Sequence, residues 1–88
     1  MISDAATPLV PINVVEPTIP HELRNVAINA KVLLSFNVQK DGTVATPAVV
    51  SGNNRRLNKS AIDAIAQWRF EPIRSERVTQ IEFQFMQE

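Results

Sequence analysis

The sequence predicts an α+β domain, in which a three-stranded antiparallel sheet is packed on one face by two helices. Two segments, residues 30–40 and 78–86, alternate apolar and polar side chains with the two-residue period of a half-buried strand. Residues 58–68 repeat apolar side chains at helical spacing instead. The chain has 88 residues and is 44% hydrophobic, which suits one domain with a thin, two-layer core.

An extended arm, the end of a linker, is predicted for residues 1–16, and the domain itself is predicted to span residues 17–88. The arm combines prolines with small and β-branched side chains, a composition typical of extended segments. The first helix is predicted to begin at Pro20 and to end near Ile28. Proline suits the first helical position, because the N–H that it lacks has no partner there in any helix.

A β-hairpin is predicted next. The first strand, residues 30–40, is followed by Asp41 and Gly42, a pair typical of a two-residue turn with positive φ at both positions. The return strand, residues 43–50, contains Pro47. Proline cannot donate a hydrogen bond to a neighbouring strand, so this strand is expected at a sheet edge or with a bulge.

The second helix is predicted to begin after Asn58, a favourable N-cap residue. Its apolar face carries Ile62, Ile65 and Trp68. Pro72 ends the helical region, because it can neither continue the hydrogen-bond pattern nor allow a helical residue directly before it.

The third strand, residues 78–86, fits beside the first and antiparallel to it, which gives the predicted strand order 2-1-3. Its side chains at 81, 83 and 85 are expected to face the core, whereas those at 80, 82 and 84 face outward. The strand would form a sheet edge, and it contains neither proline nor lysine, two residues that commonly protect edges. We therefore expect this edge to pair with another strand.

Several function classes are disfavoured by the composition. The formal net charge is zero, whereas nucleic-acid-binding domains usually carry a basic excess. The chain has no cysteine and only His21 as histidine, so it offers no thiolate or multi-histidine metal site. Two glycines cannot form a glycine-rich phosphate loop. We expect no enzymatic activity and no cofactor, and no apolar run is long enough to cross a bilayer.

A family resemblance is carried by four features in this order. They are Ile19-Pro20 at the start of a helix, the strand at 32–38, the Asp41-Gly42 turn, and the segment Trp68-Arg69-Phe70-Glu71-Pro72 that follows an alanine-rich helix. Together they resemble the C-terminal domain of the TonB family of energy transducers over residues 15–85. The family usually has Tyr-Pro where this chain has Ile19-Pro20 and a glutamine where it has Glu16, differences typical of a diverged or receptor-dedicated member.

This resemblance implies a periplasmic domain of a protein anchored in the bacterial inner membrane, where the partners would be ExbB and ExbD. The domain would bind the TonB box, a short N-terminal segment of an outer-membrane receptor, and couple the proton-motive force to uptake of iron-siderophore, haem or cobalamin. The box would add as a strand to the third strand. The residues expected to contact it are Glu16, Pro17, Val78, Thr79, Gln80, Ile81, Glu82, Phe83, Gln84 and Phe85.

Other interpretations share some of these observations. A homodimerising structural module would pair two copies through the same third strand. A small α+β enzyme would need a phosphate-binding loop, which the sequence lacks. A sheet-surface RNA binder would need aromatic side chains on the open face, but Phe36, Phe83 and Phe85 share the core-facing parity.

Overall fold

A computed structural model describes residues 9–88 of the chain. Within this range no helix is both long and apolar enough to span a membrane. A single turn of 3-10 helix, His21–Leu23, precedes the main elements. The strands are β1 (Pro11–Asn13), β2 (Ile28–Val38), β3 (Val44–Ser51), β4 (Arg69–Phe70) and β5 (Arg77–Gln87), and the α-helix is α1 (Arg55–Ile65).

The main sheet has three antiparallel strands in the order β3-β2-β5. β2 and β5 pair without interruption along their whole length, from Ile28 opposite Gln87 to Val38 opposite Arg77. Pairing between β2 and β3 is interrupted by two shifts of register. The predicted α+β class is confirmed, and the unbroken β2–β5 ladder makes β5 a regular edge without a bulge.

The core lies between this sheet and α1. Alternate β2 side chains, from Val32 through Leu34 and Phe36 to Val38, are buried, as their two-residue period predicts. They face the buried α1 residues Leu57, Ala61, Ala64 and Ile65, and Trp68, Phe70 and Phe85 complete the core. Within residues 9–88 no α-helix covers the opposite face of the sheet, where the exposed polar residues of β5 lie.

In the part of the chain that the structure describes, the predicted pair of helices is corrected to one α-helix and the short 3-10 turn. The segment after Pro20 is too short to be a stable helix without strong packing. β2 already begins at Ile28, which pairs with Gln87. The Gln87 side chain also donates from Nε2 to the carbonyl oxygens of Leu23 (2.6 Å) and Val26 (2.7 Å). The end of β5 thus supplies hydrogen bonds to carbonyl groups at the end of the 3-10 turn.

The limits predicted for α1 are also corrected. Asn54, rather than Asn58, is the N-cap, since its Oδ1 accepts from the backbone N–H groups of Arg56 (3.0 Å) and Leu57 (3.2 Å). Asn58 lies inside the helix. The helix ends at Ile65. Trp68 is buried, but it lies in the segment after the helix and is not part of the apolar face of the helix.

The predicted hairpin is present, but its turn is longer than expected. Gln39 N–H donates to the Thr43 carbonyl (2.8 Å), and Gly42 N–H donates to the Gln39 carbonyl (2.8 Å). Of the turn residues only Gly42 has positive φ, at 90°, which is the pattern of a three-residue loop with a glycine bulge. Asp41 accepts from the N–H and the hydroxyl of Thr43, and these hydrogen bonds lower the pKa of the Asp41 carboxyl.

Pro47 predicts an edge position or a bulge for its strand, and β3 has both, since it is an edge of the main sheet and contains a bulge. Ser35 pairs with Ala48 and Asn37 with Ala45, so β3 contains one residue more than β2 over this stretch. Thr46, directly before Pro47, takes a φ of 49°, in the left-handed region. β3 thereby accommodates a residue that cannot donate to its neighbour.

A second, two-stranded sheet was not predicted. β1, in the arm, pairs antiparallel with β4, and Glu71 N–H donates to the Val10 carbonyl (2.9 Å). On the other side of β4, the Phe70 N–H donates to the Gly42 carbonyl oxygen (2.8 Å). The described part of the arm, residues 9–16, therefore packs on the domain. Residues 1–8 lie outside the described residues, and the boundary between 16 and 17 stays a prediction.

Candidate functional site

The outer edge of β5 is the candidate site. β5 ends the strand order of the main sheet, and among residues 9–88 it pairs only with β2. An edge strand has N–H and C=O groups that point away from the sheet, and they come from every second residue. A partner strand could form hydrogen bonds only with these residues, so they must be identified along β5.

The turn at the far end of β2 determines this alternation. Gln39 uses both its N–H and its C=O toward the β3 side, through Thr43 and Gly42. Backbone groups alternate in direction along a strand, so those of the neighbouring residue Val38 point toward β5. Because the β2–β5 register is unbroken, the same applies at every second residue of β2. The alternation of β5 follows from this register.

On β5, the residues opposite this set form the hydrogen bonds with β2, among them Thr79, Ile81 and Phe83. The residues between them therefore direct their N–H and C=O groups outward. These outward residues are Val78, Gln80, Glu82, Gln84 and Met86. All of them are exposed, and the edge can accept a partner strand along most of its length.

A groove of about 450 Å³ lies between the C-terminal half of this edge and the arm. The arm contributes Val14, Val15 and Glu16, and the segment directly after it contributes Pro17 and Ile19. β5 contributes Phe83, Gln84, Phe85 and Met86, and Trp68 completes the lining. Most of these side chains are apolar. The groove can accommodate apolar side chains of a segment that pairs with the edge.

Trp68 connects the arm to the edge. Its indole Nε1 donates to the Val15 carbonyl oxygen (2.8 Å), and its ring meets Phe83 edge-on, with centroids 6.0 Å apart. The side chain is only 8% exposed. Since a buried indole N–H needs a partner, this bond places Val15 and its neighbours beside β5.

The predicted contact residues fall into two groups. Glu16, Pro17, Phe83, Gln84 and Phe85 all line the groove. The remaining predicted residues, 78–82, lie along the same edge beyond the groove. The other groove residues are not among the predicted contacts; they are Val14, Val15, Ile19, Trp68 and Met86. The helical spacing of Trp68 predicts a core position, and nothing in the sequence indicates that its N–H binds the arm.

The chemistry of the site suits the binding of an extended segment. The groove lining contains one carboxylate, Glu16, and no lysine, arginine or histidine. No group of three His, Cys, Asp or Glu side chains within residues 9–88 could hold a metal ion. What the site offers is a row of free main-chain groups beside an apolar groove.

Comparisons with known proteins agree with this geometry. A search of curated proteins finds no match. The solution NMR structure of the TonB C-terminal domain of Pseudomonas aeruginosa is similar with a TM-score of 0.82 and 24% sequence identity. The match covers 93% of this chain and 89% of that one, and it shows a common fold. The family model described as the Gram-negative bacterial TonB protein C-terminal region matches residues 15–87, and this chain therefore belongs to the TonB C-terminal family.

Proposed function

We propose that the domain binds the TonB box of an outer-membrane receptor by adding it as a strand to the free edge of β5. The observation that carries this proposal is the row of outward main-chain groups on β5 beside the arm groove. TonB C-terminal domains are non-enzymatic transducer domains of the Gram-negative periplasm and generally interact with TonB-dependent receptors. The proposal extends this general role to named residues.

Strand addition suits a domain that transmits force. Each backbone hydrogen bond contributes only about 1 kcal/mol in water, so the equilibrium affinity of a short segment is modest. A pull along the strand direction, however, loads several of these bonds together. The segment can thus be held firmly under tension and still be released at equilibrium.

The proposed role also implies a membrane anchor and inner-membrane partners. An N-terminal membrane helix would anchor the protein in the inner membrane beside ExbB and ExbD, which use the proton-motive force. Tension would reach the receptor through the added strand and permit uptake of iron-siderophore, haem or cobalamin. A receptor-dedicated role is supported by Glu16 and Ile19, where the family usually has glutamine and tyrosine.

The direct test is an NMR titration of the ¹⁵N-labelled domain with a receptor box peptide, combined with amide hydrogen exchange. We expect shifts along 78–86, in 14–17 and at the Trp68 indole N–H, since these groups border the edge and groove. Exchange of the Gln80, Glu82 and Gln84 amides should be rapid in the free domain and should slow in the complex. The amides of Ile81 and Phe83 should be protected in both states.

The exchange pattern separates the alternatives. A peptide bound in the groove without strand pairing would shift the Trp68 indole but leave the Glu82 amide exposed to exchange, contrary to the proposal. The same peptide with proline at alternate positions is the control, and it should lose binding because it cannot donate to β5. Absence of shifts with several box peptides, together with the slow tumbling of a dimer, would favour self-pairing through β5.

A further inference from the structure

We propose that the Glu82 carboxylate makes the β5 edge selective for charge. It favours a partner strand with a lysine or arginine opposite it and disfavours one with an acidic residue. This inference rests on the proposed strand addition at β5 and concerns which segments the edge accepts.

Glu82 occupies the middle of the outward-facing residues. It is exposed, and two neutral amides, Gln80 and Gln84, flank it on the same face of the sheet. On its inner side β2 places Leu33 opposite it, which offers no charge. Glu82 is therefore the one charged side chain among the residues whose main-chain groups point outward.

The Glu82 carboxylate also has no ionic partner within residues 9–88. The ion pairs in this range join Arg56 with Glu22 and Lys59 with Asp63, both away from the edge. The cation nearest in register is Lys31 on β2, which lies opposite Gln84 and forms no ion pair with Glu82. An incoming strand would be the first element to place a charge directly beside this carboxylate.

The two faces of the edge define the class of segment that fits. Side chains of the added strand on the helix side would meet Ile81, Phe83 and the apolar groove, so apolar residues suit those positions. Side chains on the open side would meet Gln80, Glu82 and Gln84, so polar residues suit them. Directly opposed residues lie about 4.5–5.5 Å apart at Cβ, close enough for a basic side chain to pair with Glu82. The preferred ligand is an extended segment that alternates apolar and polar residues and has one basic residue near its centre.

The test compares three peptides of alternating valine and threonine that differ only at the central polar position, which is lysine, glutamine or glutamate. Affinities are measured by fluorescence anisotropy for the wild-type domain and for Glu82→Gln and Glu82→Lys. For the wild type we expect the lysine peptide to bind about fivefold tighter than the glutamate peptide, an advantage that salt should reduce. The difference should vanish in Glu82→Gln and reverse in Glu82→Lys.

The control is Glu76→Gln, which removes one exposed carboxylate before β5 and can keep the oxygen that accepts from Asn37. It should discriminate between the peptides as the wild type does. Equal binding of all three peptides to the wild type would overturn the charge selectivity and leave strand addition standing. Failure of all three peptides and of receptor box peptides to bind any variant would overturn the proposed function itself.

Discussion

A single side chain, Trp68, connects the core of the domain with the groove. Its ring packs against Phe70 and Phe83, each with centroids 6.0 Å away, and its N–H holds the Val15 carbonyl. Replacing it would therefore affect both folding and the position of the arm. The two effects can be separated, because the hydrogen bond can be removed while most of the ring contact is kept.

The variant Trp68→Phe tests this connection. Loss of the indole N–H leaves the Val15 carbonyl without its donor, so we expect the free energy of unfolding to fall by about 1–3 kcal/mol. Box-peptide affinity should fall as well, because Val14 to Pro17 would no longer be held beside β5. Urea denaturation and the peptide titration measure the two effects. A loss of stability with unchanged affinity would show that the bond does not position the groove.

At the scale of elements, the strands were predicted better than the helices. The side-chain alternation of β2 and β5 identified both strands, because burial of one sheet face imposes a strict two-residue period. The prediction of a short helix after Pro20 was wrong, because the strand pairing of Ile28 with Gln87 outweighs the weak helical preference of this segment. The cap of α1 was misplaced because Asn54 and Asn58 are equally favourable cap residues in sequence.

The site could be predicted in part for the same physical reason. The bare edge of β5 follows from its composition and its place in the sheet. The pairing of β1 with β4 involves only two or three residues on each side, too few to leave a pattern in the sequence. Without that pairing the arm has no predictable position, and neither has the groove between Val15 and Phe83.

The bulge in β3 provides a prediction at this scale. Thr46 holds a φ of 49°, a conformation that costs a non-glycine residue about 1–2 kcal/mol. Thr46→Gly should remove this strain but add roughly 0.5–1 kcal/mol of backbone entropy loss, so we expect a net gain in stability of up to about 1.5 kcal/mol. Thermal unfolding measures the gain. The control is Ala48→Gly, at the other end of the bulge, three residues after Ala45. Ala48 has no positive φ, so this variant only adds backbone entropy loss, and its stability should fall. Destabilisation by both variants alike would mean that the bulge is not strained.

At the scale of the whole molecule, a domain with a free edge strand must avoid pairing with its own copies. The polarity of β5 is symmetric about its centre, with Val78 and Met86 at the ends and two glutamines between them. Antiparallel pairing of two copies in the register that joins all outward residues would place Glu82 opposite Glu82 of the second copy. Like charges directly opposite each other destabilise a strand pair, so the residue proposed to select a basic partner would also oppose self-association.

We therefore expect the wild-type domain to be a monomer near neutral pH and low ionic strength. Glu82→Gln should dimerise about fivefold more tightly than the wild type, because it replaces the carboxylate repulsion with a neutral amide pair. Sedimentation equilibrium over a range of protein concentrations measures both association constants. Glu76→Gln changes the net charge equally but lies before β5, so it should associate like the wild type. Added salt should narrow the gap between the wild type and Glu82→Gln, because screening weakens an exposed charge repulsion. Equal association of all three proteins would show that the Glu82 charge does not protect the edge.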